Sequence, residues 1–263
     1  RDEGRNHLIL GVLSTFLEDP RGSEQHDGWV AMDPEPVAAA MWTPPRDLLL
    51  GNPADLEAVA PLARAIAEDV PGLPGLTANR PALDAFVRTW TERTGATPRV
   101  TSELTVYALE EVAEVVRSPG SARPATRADR DVVVAWMRDF ALEAPRPDEL
   151  VADELARFLE GRLEAGDAGY RLWIDEGRPV SLAGFMGPTG SGIRVGPVYT
   201  PPEHRHAGYA RTVLAVLAEE LLGRGYRACY LASDVANEPA TALYLSVGFH
   251  PIADSAMVAF EPA

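Results

Sequence analysis

Cysteine is nearly absent from this 263-residue chain. Cys229 is the single one, so no intrachain disulfide can form, and the composition fits a reducing, cytoplasmic compartment. No apolar run approaches the roughly 20 residues that a membrane-crossing helix needs, and the first residues lack a secretory pattern. Basic charge is also scarce. With 24 Lys and Arg against 39 Asp and Glu, the net charge is −15. That balance argues against nucleic acid or an anionic membrane as a main partner. No Gly-x-Gly-x-x-Gly or Walker loop is present, which disfavours a nucleotide-binding module. His7, His26 and His250 are dispersed without ligand spacing, so no metal is expected. No Gly-x-Ser-x-Gly elbow supports a serine hydrolase, and Cys229 reads as a small buried strand residue.

What is present begins with a core. Apolar residues make up 46% of the chain, and the length leaves room for one large domain or two ordinary ones. The richest stretch is VYTPPEHRHAGYA, Val198 to Ala210. An apolar run from Ile193 to Tyr199 breaks at Pro201 and Pro202. Arg205-x-x-Gly208-x-Ala210 follows, and then an amphipathic segment from Tyr209 to Leu222. A strand, a glycine-bearing loop and a helix N-terminus in that order aim backbone N–H groups outward. The helix dipole adds partial positive charge, so a pyrophosphate fits there without a lysine. Further on, Arg227 to Ser233 (RACYLAS) reads as a short buried strand. Asn237-Glu238-Pro239-Ala240 opens a short helix that ends near Tyr244-Leu245. Gly248-Phe249 closes it and leads into an expected last pair of strands.

The loop resembles the acyl-CoA-binding pattern Gln/Arg-x-x-Gly-x-Gly/Ala of the GCN5-related N-acetyltransferase (GNAT) superfamily. Asn237, Ala240, Leu243-Tyr244 and Gly248-Phe249 resemble that family's ending, Asn-x-x-Ala-x-x-Leu-Tyr-x-x-x-Gly-Phe. The resemblance implies an α/β fold of the α+β type: a central mixed, mostly antiparallel sheet flanked by helices. It implies acetyl-CoA as co-substrate, no metal, and transfer of an acetyl group to a primary amine of a small acceptor, by a monomer or homodimer. The alternative is a non-catalytic acyl-CoA-binding regulator or sensor.

The same resemblance assigns roles. The backbone of Val198, Tyr199 and Thr200 pairs with the pantetheine arm. The N–H groups of His206, Ala207, Gly208, Tyr209, Ala210 and Arg211 hold the pyrophosphate. Arg205 supports the loop or is a solvated surface cation. Tyr244 is the general acid toward the CoA sulfur, or a core tyrosine. Asn237 bonds the pantetheine amides, or caps the helix behind it. For the base, Glu203, His204 and a water-mediated route stand open.

The turn-rich stretch Ser118 to Pro124 marks a boundary between domains 1–120 and 121–263. The second half is expected to run as a strand at Ala122 to Ala125, helices at Arg127 to Leu142 and Asp148 to Leu163, and a hairpin of Tyr170 to Ile174 with Val180 to Met186. The first half echoes it. Trp29 to Ala40 resembles the Leu172 to Ala183 hairpin, with Pro36-Val37 matching Pro179-Val180, and Asn79-Arg80-Pro81-Ala82 resembles Asn237 to Ala240. Phe86 then falls where Tyr244 falls, and no phosphate-loop pattern lies between Leu48 and Ala60. The first half therefore reads as a degenerate GNAT-like copy, with Pro61 kinking or starting its helix.

Overall fold

The computed structural model describes residues 2–18, 26–70, 72–143 and 168–263. The helix expected over Asp148 to Leu163 lies outside them. Two compact units form. The first holds residues 1–107, 232–238 and 251–263; the second holds 108–231 and 239–250. No described helix is long and apolar enough to cross a membrane.

In the first unit, helix α1 (His7–Glu18) precedes the hairpin β1 (Asp27–Asp33) and β2 (Glu35–Trp42). Strand β3 (Leu48–Leu50), α2 (Val59–Asp69), β4 (Gly75–Asn79), α3 (Ala82–Thr94) and β5 (Thr97–Leu109) follow. The chain's last strand, β11 (His250–Glu261), joins this unit, and the strand order is β1-β2-β3-β4-β11-β5. The expected last pair of strands is thus corrected. Residues 250–261 hold no turn-forming pair, so they run as one strand, antiparallel to β4 from Ser255 to Ala259. Leu48, Leu62, Ile66, Leu76, Phe86, Trp90 and Val258 are buried as one core. Pro61 lies in the first turn of α2, where its missing N–H costs no helix bond.

The second unit repeats that order. Strand β6 (Ser121–Pro124) leads through a 3₁₀ turn at Arg127–Asp129 into α4 (Arg130–Leu142). Then come β7 (Gly169–Asp175), β8 (Arg178–Pro188), β9 (Gly192–Tyr199), α5 (Tyr209–Gly223), β10 (Ala228–Asp234) and α6 (Glu238–Val247). The order is β10-β9-β8-β7-β6, antiparallel except for the parallel β9–β10 pair. In the first unit β2–β3 is likewise antiparallel and β3–β4 parallel.

One face of the second sheet packs Tyr170, Leu172, Leu182 and Tyr199 on Val133 and Met137 of α4. The other receives α5, whose Val213, Leu214, Leu217 and Leu221 are fully buried. Beneath α5 the guanidinium of Arg171 donates to both carboxylate oxygens of Glu220, Nε at 2.6 Å. That partner holds the Glu220 carboxyl below its usual range.

Candidate active site

Strand β9 sets the geometry. It pairs with β10 only from Gly192 to Arg194. On its other side it pairs with β8 to the end, at Ala183↔Val198 and Leu182↔Tyr199, across an irregularity between Ala183 and Phe185. The extra residues at Gly196-Pro197 bend the strand away from β10. Val198, Tyr199 and Thr200 thus lie past the last β10 pair. An extended ligand can add to such an edge as another strand.

Beyond Thr200 the chain turns through a 3₁₀ turn at Pro202–His204 and then the loop. Gly208 is left-handed, at φ 78° and ψ 7°, and is the residue before α5; His206 also has positive φ, 65°. Glycine adopts this conformation at no steric cost, whereas a residue with a Cβ is strained in it. A Cβ on Gly208 would also lie 2.9 Å from Ser118 Oγ. Ser118 acts as a clamp. Its Oγ donates to Ala207 O at 2.7 Å, and its N–H donates to Thr212 Oγ1 at 3.0 Å. Thr212 Oγ1 in turn donates to Gly208 O at 3.0 Å.

The first N–H to turn back into α5 is that of Thr212, which donates to Gly208 O at 3.1 Å. Among the described residues the N–H groups of His206 to Arg211 donate to no backbone carbonyl. A row of free donors at a helix N-terminus suits an oxyanion such as a phosphate.

Arg205 is exposed but held in place. Its Nε donates to Thr200 O at 2.9 Å, and its Nη2 donates to both oxygens of Glu143 at 2.7 Å. Its guanidinium also stands 5.8 Å from the Tyr199 ring centre. It fixes the strand end to the loop start. Burial and the Glu143 charge push the Tyr199 hydroxyl up to about 12, so it stays protonated at neutral pH. Tyr209 donates from its hydroxyl to Asp175 Oδ2, which ties the start of α5 to the β7–β8 turn.

Val198 to Arg211 therefore form one continuous strand–loop–helix. Tyr244 and Asn237 come from a later segment. Tyr244 lies on α6, half-buried, its ring edge-on to Phe249 with centres 6.0 Å apart. Asn237 is exposed just ahead of α6, in the segment 232–238. Gly248 ends that helix at φ 110°, where a Cβ would come within 3.0 Å of Glu111 O and Ala113 N. Glu203 is exposed and His204 half-buried on the 3₁₀ turn. Burial pushes the Cys229 thiol up to about 12, which suits packing and not nucleophilic attack. Sequence reading did not find Ser118 or Glu143. Ser118 sits in a stretch that signals only a turn, and its partner lies far along the chain.

The first unit spends the equivalent donors. Between β3 and α2, Gly51 N–H donates to Ala39 O at 2.8 Å, Ala54 N–H to Val37 O at 2.7 Å and Asn52 N–H to Asn6 Oδ1 at 2.7 Å. Beside β3 and β4 the N-terminal residues Arg5 to Ile9 line a cavity of only about 40 Å³. Phe86 is fully buried and stacked with Trp90 at 5.8 Å.

Residues 132–249 match the model of the Acetyltransferase (GNAT) family. Solved structures share the fold. A GCN5-related N-acetyltransferase from Kribbella flavida aligns with a TM-score of 0.65 at 16% identity, over 97% of this chain and 96% of that one. A tandem GNAT protein from the clavulanic acid biosynthesis pathway aligns at 0.59 and 17% identity, over 100% of this chain and 94% of that one. A GCN5-related N-acetyltransferase from Sphaerobacter thermophilus aligns at 0.58 and 18%, over 99% and 92%. No curated protein matches the chain. Acyl transfer is the general activity of the matched family, and among the described residues no His, Cys, Asp and Glu cluster fits a metal ion.

Proposed function

We propose that the protein transfers an acetyl group from acetyl-CoA to a primary amine of a small-molecule acceptor. Residues 121–263 would be the catalytic domain and residues 1–120 a degenerate GNAT-like copy. The observation that carries the reading is the row of undonated N–H groups from His206 to Arg211, clamped by Ser118, next to the open edge of β9. Those N–H groups would hold the pyrophosphate. The backbone of Val198, Tyr199 and Thr200 would pair with the pantetheine arm, and Asn237 would bond its amides.

Transfer of this kind needs the amine as free base, held in line with the thioester carbonyl. The Tyr244 hydroxyl would give its proton to the departing sulfur. The sequestered loop donors of the first unit support the view that its copy holds no donor molecule. The net charge of −15 leaves an amine acceptor compatible with the protein's field.

Gly208→Glu tests the placement. It forces a left-handed residue to carry a side chain, and it sets a carboxylate where the phosphates would lie. The thermal shift given by acetyl-CoA should vanish while the far-UV spectrum stays native. An undiminished shift would remove the pyrophosphate from this loop. Binding without thiol release on any amine would favour the non-catalytic sensor.

A further inference from the structure

Among the described residues Arg194 has no counter-charge. It lies at the fork of β9 and β10, as the last residue of their parallel register. Directly paired residues in a sheet share a face. Arg194 is opposite Met186 and Tyr230, and Met186 packs on the cluster that includes Val133 and Met137 of α4. Arg194 thus projects on the α4 face, away from α5. Among the described residues it has no ion pair, hydrogen bond or aromatic ring beneath it. It is half-buried, and burial pushes its pKa down to about 10, so it remains a cation at neutral pH. An unpaired cation that has lost half of its water is costly to a fold unless something compensates it.

Among the described residues its surroundings are open on one side only. The residues two before and two after it on the same face are Gly192, beside which the Tyr230 ring fills the space, and Gly196. A Cβ on Gly196 would meet nothing within 4 Å. Across β8, Gly184 is in register with Tyr170, whose ring lies 3.0 Å from where a Gly184 Cβ would be. Near Gly192 stands a second orphan. Thr189 Oγ1 is buried without a hydrogen-bond partner, 3.0 Å from the position of a Gly192 Cβ. A guanidinium and a hydroxyl on one glycine-lined face make a donor pair with no acceptor among the described residues.

The donor molecule does not need Arg194. The charges of acetyl-CoA are on its phosphates, which the loop would hold. From Arg194 to Thr200 the strand alone runs about 20 Å, so these phosphates lie well beyond the guanidinium. What remains at the fork is the acceptor. One guanidinium fork matches one planar carboxylate with two parallel hydrogen bonds, whereas a dianionic phosphate would stay half-neutralised.

We propose that Arg194 is a specificity-determining residue that pairs with a carboxylate on the acceptor, so the acceptors are amino acids or other amino-carboxylates. This rests on the acetyltransferase reading above. The test uses the full chain saturated with acetyl-CoA, and a panel of free amino acids, each beside its C-terminal amide, at millimolar concentration. Thermal shift and thiol release are read for wild type, Arg194→Met and Arg194→Lys.

Carboxylates should stabilise the wild type and be acetylated, with kcat/KM for the matched amide lower by about 10²-fold, the range seen when a buried charge loses its partner. Arg194→Met should bring acid and amide to the same low level with an unchanged acetyl-CoA shift, and its ligand-free Tm should be no lower than wild type. Arg194→Lys should keep a weakened preference for the acid. The proposal is overturned by equal use of acid and amide, by no carboxylate producing a shift, or by a marked loss of ligand-free stability in Arg194→Met, which would make the side chain structural. Failure of the wild type to bind acetyl-CoA would instead take down the acetyltransferase reading beneath it.

Discussion

At Tyr244 the ring and the hydroxyl can be separated. The ring packs edge-on against Phe249, while Phe249 N–H donates to Tyr244 O at 3.1 Å, so this turn of chain is held by backbone and ring together. Tyr244→Phe keeps both contacts and removes one oxygen. If that oxygen protonates the leaving thiolate, kcat should fall by about 10²-fold with acetyl-CoA affinity unchanged, because the interaction exists only in the transition state. A kcat within about threefold of wild type would return the residue to packing. The corresponding Phe86 is fully buried in the first unit, where a hydroxyl would need a partner. The role assigned to Tyr244 rests on the motif around it alone, since a half-buried tyrosine near a helix end suits either use.

The elements show where local signals suffice. Strand β9, the loop and α5 stand where Ile193 to Leu222 place them, because proline and glycine punctuate the chain there and apolar spacing does the rest. The start of α4 was read too simply as a helix from Arg127. Thr126-x-x-Asp129 was the available signal. The two form a capping box around a 3₁₀ turn, with Thr126 N–H donating to Asp129 Oδ2 at 2.9 Å. Arg123 from β6 adds two hydrogen bonds to the same carboxylate, each 2.7 Å. The Arg123 guanidinium first, and the Thr126 donors after it, hold the Asp129 carboxyl well below the usual range. A carboxylate depressed in the fold stabilises it above the unfolded pKa, near 3.9, and that share is lost as pH falls toward the folded value. The Tm of the wild type should therefore fall below about pH 4 more steeply than that of Asp129→Asn, which should be less stable at neutral pH and flatter in acid. Parallel curves for the two proteins would mean that the box contributes no pH-dependent stability.

The long-range pairings decide the rest of the molecule, and those are what the sequence hides. Nothing local in residues 250–261 says that β11 will lie against β4, because a strand's partner depends on edges made elsewhere in the chain. Nothing near Ser118 names Ala207 as its acceptor. The repeated element order, by contrast, was legible as an echo of hairpin and helix openings, and both units contain an antiparallel pair followed by a parallel one. Repetition of a frame does not repeat a site. In the first unit the loop amides donate to Val37, Ala39 and Asn6, and the adjoining cavity of about 40 Å³ is far below the several hundred that a cofactor-sized ligand occupies. Among the described residues the second unit's loop keeps the N–H groups of His206 to Arg211 off backbone carbonyls, whereas the first unit's loop donates from Gly51, Asn52 and Ala54. Titration calorimetry of the full chain with acetyl-CoA should therefore give one site per chain, and Gly208→Glu should reduce that number to zero instead of exposing a weaker second site. A stoichiometry of two, or residual binding at one site in the variant, would show that the first unit kept a donor site by a route other than loop amides. Asn6→Ala would then be the informative next variant, since it frees the Asn52 N–H.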